Sequence, residues 1–190
     1  MNKNFRGFTL LEMVVVLAVI AILAAVLTPI ITSYVDRARV NAASTDLKSI
    51  AAAIIQFNTD TRVWPIYAGT FTDAAGTVEE VMQTTGIDGT VGSGTGWALT
   101  TAGDLDDPLN RNTLALPTTG PRAWKGAYLQ LAPDPWGTRY YLTARNLKPG
   151  STSAGYVLSA GQNQTIETIY SQPQGGILAI GGDDMVVRIK

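Results

Sequence analysis

Few residues in this chain are equipped for chemistry. The 190-residue sequence contains no histidine and no cysteine. That removes Ser-His-Asp and Cys-His nucleophile systems and the commonest metal ligand together. Carboxylates remain, and the first of note is Glu12. It stands at the head of an apolar run in which no residue from Met13 to Leu27 is polar. A carboxylate beside such a run costs a few kcal/mol unless it finds a partner, so it points to function. Asp104, Asp106 and Asp107 precede Pro108 and read as a solvated turn; a hydrolytic carboxylate pair is the sharper alternative. Gly92-Ser93-Gly94-Thr95-Gly96 is not a phosphate loop, because no Gly-Lys-Ser/Thr follows it and no strong strand precedes it. It reads as a surface loop.

The element carrying Glu12 dominates the chain. Counted through Ile31, the apolar run is about long enough to cross a bilayer as a helix. A cleaved secretory signal would need a small-residue site after it, and no Ala-x-Ala triplet occurs between Ala18 and Ala25. Beyond Ile31, Val40, Ala43, Leu47, Ile50, Ile54 and Phe57 recur at intervals of three and four, which is one helical face. Residues 8 to about 58 therefore predict one helix, roughly 75 Å long at 1.5 Å per residue. Its first half, residues 8–35, is apolar all round and wants lipid or other helices. Its second half, 36–60, wants a globular partner on one face. Pro29 lacks the N–H for the Ala25 carbonyl and predicts a local kink, either a tolerated membrane proline or a segment that extends on packing. Thr61-Arg62-Val63-Trp64-Pro65 closes the helix.

Residues 61–123 change character. Twelve threonines and nine glycines between 66 and 120 predict loops rather than a core layer. One short helix is expected inside, capped by Thr77, boxed by Glu80 and ended by Gly86. From Trp124 the chain turns β-like, over residues 124–190. Strands are expected at 127–131, 139–143 and 156–159, with turns at Pro133-Asp134-Pro135-Trp136-Gly137 and Lys148-Pro149-Gly150. A last hairpin is expected from 176–180 and 185–189. The fold class is then α+β, with a helical spine packed on a small antiparallel sheet.

Gly7-Phe8-Thr9-Leu10-Leu11-Glu12 and the apolar run behind it resemble the processing signal of type IV pilins and type II secretion pseudopilins. The resemblance implies a pilin-like fold, with residues 1–7 as a leader removed by a prepilin peptidase after Gly7 and Phe8 methylated on its new amine. It also implies homo-oligomeric assembly through Phe8, Glu12 and the region of Pro29, with inner-membrane assembly machinery and minor pseudopilins or pilins as partners. Trp124-Lys-Gly-Ala-Tyr-Leu129, Asp134-Pro-Trp-Gly137, Tyr140-Tyr141 and Tyr156-Val-Leu-Ser159 followed by Gly161 resemble the major pseudopilin of type II secretion systems, whereas 66–120 does not match. That subfamily binds calcium in its C-terminal loops. Asn163, Asp183, Asp184 and backbone carbonyls are the candidate ligands here; the alternative is that Gly182-Asp183 is turn chemistry. No other cofactor is implied.

Charge is consistent with this. The formal net charge is −1, or −3 without Lys3 and Arg6, which is no footprint for nucleic acid. Lys3 and Arg6 before the span predict an N-terminus facing the cytoplasm, with the rest exported, first from the cytoplasmic (inner) membrane and then in a periplasmic or cell-surface filament. The expected function is a structural filament subunit, not an enzyme. The alternatives are a pilin, major or minor, of a related filament, or a membrane-anchored exported module binding a ligand through the Gly/Thr-rich middle and Trp97.

Overall fold

The computed structural model describes residues 7–67 and 78–190. A single helix, α1, runs from Leu10 to Thr61. It passes through Pro29 without a break, and neighbouring hydroxyls turn back on the helix there. Thr28 donates to the Ala24 carbonyl (2.7 Å), Thr32 to Pro29 (3.0 Å) and Ser33 to Ile30 (2.8 Å). The chain divides into two compact units, residues 1–39 and 40–190.

In the first unit, every large apolar side chain from Phe8 to Val35 that the structure describes is exposed, as a helix apolar all round requires when no partner is present. By length and composition this part of α1 can cross a membrane.

In the second unit the predicted face is buried. Ala43, Leu47, Ile50, Ile54 and Phe57 are covered, as is Ala51, whereas Val40 stays exposed. The helix ends where Arg62 adopts a left-handed conformation (φ 63°) and donates its N–H to the Asn58 carbonyl (2.8 Å). Asp60 is held there by Lys125 at 2.7 Å, and this hydrogen bond pulls its carboxyl below the usual aspartate range.

Among the described residues seven short strands follow: β1 (Met82–Gln83), β2 (Thr90–Val91), β3 (Gly103–Asp104), β4 (Tyr140–Leu142), β5 (Tyr156–Ser159), β6 (Thr165–Ile166) and β7 (Met185–Arg188). Five form one sheet in the order β3-β1-β4-β5-β7. The expected antiparallel sheet is in fact mixed, because β1 and β3 pair in parallel while the other pairs are antiparallel. A second, parallel pair joins β2 to β6.

Side chains alternate across the sheet with the period of two that strands impose. Tyr140, Leu142 and Val157 face the cluster built on α1; Tyr141, Tyr156 and Leu158 face a second cluster around Trp97. Both faces are therefore covered, and the middle region supplies much of the cover. Ile66, Met82, Leu105, Leu109, Leu114 and Leu116 pack with α1, while Val81 and Trp97 pack on the other face. The Gly/Thr-rich composition predicted loops here but hid these widely spaced core anchors. Within the glycine run, a Cβ on Gly92 would approach the Ile166 carbonyl oxygen to 2.6 Å, so the β2–β6 pairing needs glycine there.

Three expected elements differ. Thr77 lies outside the described residues, and residues 78–86 hold β1 in place of a helix. The reason is period: Val81 and Met82 go to opposite clusters, which only an extended chain allows. Glu80 caps nothing and pairs with Arg145 at 3.2 Å. Residues 127–131 form no strand. Tyr128 instead donates its N–H to the Leu109 carbonyl (3.2 Å) and sets its ring edge-on to Phe57 at 5.4 Å. Residues 176–180 form no hairpin arm, and β7 pairs with β5. Asp106 and Asp107 lie at the start of a short wide helical turn (Asp107–Arg111), where both pair with Arg111 (2.9 and 3.1 Å).

Candidate functional site

The N-terminal segment places Gly7, Phe8, Thr9 and Glu12 at the head of α1. Gly7 and Phe8 are exposed, and a Cβ on Gly7 would meet nothing within 4 Å. Among the described residues nothing around position 7 requires glycine. Glu12 is not left unpartnered. Its Oε2 accepts from the Thr9 backbone N–H (2.8 Å) and from the Thr9 hydroxyl (2.9 Å), and the Glu12 N–H donates to Thr9 Oγ1 (3.2 Å). This is a reciprocal capping box that satisfies orphan donors at a helix start. Thr9 is thus a site residue that the sequence reading did not single out. Its signal in the sequence is Thr-x-x-Glu ahead of an apolar run.

The second candidate lies in the C-terminal loops, where residues 161–168 face 181–184. Asp183 Oδ2 accepts from the Asn163 N–H (3.0 Å), and Asn163 Nδ2 donates to Glu167 Oε2 (2.9 Å). Asp184 is 6% exposed; its Oδ2 accepts from the N–H groups of Glu167 (2.8 Å) and Thr168 (2.6 Å). Its other oxygen, Oδ1, is buried without a hydrogen-bond partner, and burial raises the carboxyl above the usual aspartate range. Gly182 adopts a left-handed φ of 48°, and a Cβ there would collide with the Glu167 carboxylate. The structure brings Asn163, Asp183 and Asp184 into one loop cluster and adds Glu167 to them. Among the described residues no lysine or arginine ion-pairs with these acids, and no group of three or more acidic, histidine or cysteine side chains converges as a metal cage. The donors are all oxygen or amide, the set that suits calcium rather than zinc.

Trp97, the candidate ligand platform of the middle region, is a core residue. It is 7% exposed, donates Nε1–H to the Thr168 carbonyl (2.8 Å) and meets Tyr141, Tyr156 and Tyr170 edge-on at 6.1, 6.1 and 5.1 Å.

Comparison with known proteins bears on the N-terminal part. Residues 2–28 match the family model described as the prokaryotic N-terminal methylation motif. The chain is 39% identical over 64 residues to type II secretion system core protein G of Pseudomonas aeruginosa, covering 34% of this chain and 45% of that protein. It is 35% identical over 65 residues to the type IV major pilin protein PilE of Neisseria gonorrhoeae, covering 34% and 39%. It is 37% identical over 60 residues to fimbrial protein EcpC of Eikenella corrodens, covering 32% and 39%. The chain thus spans less than half the length of these curated relatives. No solved structure matches it. A methylation motif leading into a long helix, whose far half packs on a small sheet, is consistent with a pilin-like α+β fold. Over about a third of its length the chain is thus similar both to a type II secretion core protein and to type IV pilins, and its residues 2–28 carry the N-terminal methylation motif.

Proposed function

We propose that this chain is a structural subunit of a type IV pilus-like filament, of the major pseudopilin type found in type II secretion systems. A prepilin peptidase removes residues 1–7, Phe8 is N-methylated, and inner-membrane machinery packs the exposed helices of successive copies together. The N-terminus starts on the cytoplasmic side of the inner membrane, and residues 40–190 are displayed outside it, in a periplasmic or surface filament that includes minor subunits. The chain catalyses nothing itself; the reaction at Gly7 is done to it. One observation carries this reading: Gly7-Phe8 is exposed ahead of a helix whose large apolar side chains through Val35 are all uncovered. A glycine with open space around it answers to an external binder, as a peptidase subsite would be.

A pilin of a related filament is the second reading. The pilin relatives support it at about the same identity and coverage as the secretion protein. An anchored ligand-binding module has less support, since Trp97 is buried. The test is the mass of the mature chain. Loss of residues 1–7 plus one methyl group on Phe8 is expected; an intact N-terminus in cells with an active prepilin peptidase overturns the proposal.

Calcium belongs to the same proposal. Asp183, Asp184 and Asn163, with backbone carbonyls and Glu167, would hold it and tie residues 161–168 to 181–184. The unpartnered Asp184 Oδ1 supports this. At a hundredfold excess over its dissociation constant, a ligand of the native state adds about 2.7 kcal/mol, roughly 5–10 °C in a domain of this size. We expect calcium to raise the melting midpoint of the detergent-solubilised chain by that much, and Asp183→Asn or Asp184→Asn to abolish the response. No calcium-dependent shift in the unaltered chain rejects the site.

A further inference from the structure

Two features on opposite faces of the sheet have no use in the site above. The first is a loop, residues 173–181, that holds Ile177 out in solvent at 99% exposure. Ile169 and Ile180 are each about half exposed. The segment from Thr168 to Gly182 contains no charged residue. The loop is nonetheless anchored. Gln172 Nε2 donates to the Ala179 carbonyl (3.0 Å), and the Ala179 N–H donates back to Gln172 Oε1 (2.6 Å). Gln174 donates to Thr152, and Gly181 to the Thr168 hydroxyl. Leu178 packs into the Trp97 cluster, so the loop belongs to that face of the sheet.

The second feature is a crevice of about 70 Å³ between the outer half of α1 and the extended chain at 129–132. Ile50, Leu129, Leu131 and Ala132 line it, with Asp46 and Tyr140. Its one charged group is already engaged, since the Tyr140 hydroxyl donates to Asp46 (2.9 Å). Ile50, Leu129, Leu131 and Tyr140 belong to the α1 cluster, on the other face of the sheet.

We propose that Ile177 of one copy docks into the Ile50–Leu131 crevice of the next copy in the filament. The knob and the crevice lie on opposite faces of one sheet, so they cannot meet within a molecule. A contact between two different patches of identical chains is heterologous, and where its rotation does not close a ring it extends into an open fibre. An uncharged loop suits a crevice whose only charge is internally bonded. Size selects the occupant. A stable interface between free partners buries on the order of 1,200 Å² or more in total, far above what one isoleucine and its neighbours expose. Such a contact serves only where copies are already tethered, and there the effective concentration reaches the millimolar range. Because the loop is already ordered, docking carries little of the usual ordering cost. The inference rests on the filament reading.

The absence of cysteine makes a clean test possible. Chains carrying Ile177→Cys and Ala132→Cys together are assembled in cells and treated with a short bismaleimide. We expect a ladder of dimers, trimers and longer species from the double variant, and monomers from either single variant. Ile177→Asp should reduce fibre length at least several-fold while leaving the melting midpoint unchanged. Fibres without a ladder, dimers from Ile177→Cys alone, or cross-linking of that variant to a different protein overturn the contact while leaving the filament reading standing. Absence of fibres from the unaltered chain overturns both.

Discussion

Glu12→Gln should insert into the membrane normally and fail to assemble. The substitution is informative because the side chain keeps its shape and an acceptor oxygen. The capping box with Thr9 can therefore survive through the amide oxygen, while the negative charge is gone. On the filament proposal, what disappears is attraction to the cationic amine that processing would leave on Phe8 of a neighbouring copy. Opposite charges about 4 Å apart attract by roughly 4 kcal/mol at an effective dielectric near 20, and each ~1.4 kcal/mol is a factor of ten. Fibre yield should accordingly fall by two to three orders of magnitude, as counted by electron microscopy or by shearing and immunoblotting. Thr9→Val is the companion. It deletes the hydroxyl but leaves the carboxylate and the Thr9 backbone N–H, so it removes at most the ~0.5–2 kcal/mol of a lost cap. Assembly should drop no more than about thirtyfold. If Glu12→Gln polymerises normally, the charge sets no register. If Thr9→Val is as damaging as Glu12→Gln, the cap and not the ion pair is what assembly needs.

The sequence exposed the helix and the methylation motif because both are local. Apolar side chains at positions 43, 47, 50, 54 and 57 announce their own face, and Gly7-Phe8 followed by Glu12 lies within a few residues. Strands β4 and β5 were visible for the same reason, as tyrosine- and valine-rich runs bounded by turns. The middle region was hidden because its contribution is non-local. Trp97, Leu105, Leu109 and Leu114 stand apart among threonines and glycines, so no period links them, and only the two buried faces of the sheet explain them. Residues 127–131 misled by propensity. A Tyr-Leu-Gln-Leu run fits a strand, yet aromatic packing of Tyr128 on Phe57 and Trp124 holds it beside α1. The loop cluster at 163–184 was half visible: Asp183 and Asp184 were evident, but the approach of Glu167 to Gly182 depends on chain crossing.

The second large effect falls on Asp134, which sequence pattern marks only as a turn residue. It is 4% exposed, and its carboxylate accepts from the Trp136 N–H (3.0 Å), the Thr138 N–H (2.8 Å), the Thr138 hydroxyl (2.5 Å) and the Ser159 hydroxyl (2.8 Å). The first three close the turn that enters β4. The fourth ties that turn to the end of β5, where Ser159 lies opposite Tyr140. Asp134 therefore helps to fix the register of β4 on β5. A slip of one residue would exchange the faces of Tyr140, Tyr141 and Leu142, whose burial builds both clusters. Asp134→Ala leaves the buried Thr138 N–H, the partly buried Trp136 N–H and two hydroxyls without their acceptor. Hydrogen bonds to a charged group contribute about 1.5–3 kcal/mol each and do not add fully, so a loss of roughly 3–5 kcal/mol is expected. With about 2–4 °C per kcal/mol in a domain of this size, the midpoint of the detergent-solubilised chain should fall by roughly 10 °C or more, read by tryptophan fluorescence. Asp134→Asn should cost about half as much, because its oxygen still accepts from the backbone while both hydroxyls can rotate to meet the amide. A fall under about 2 °C for Asp134→Ala would mean that strand pairing holds the register without the turn.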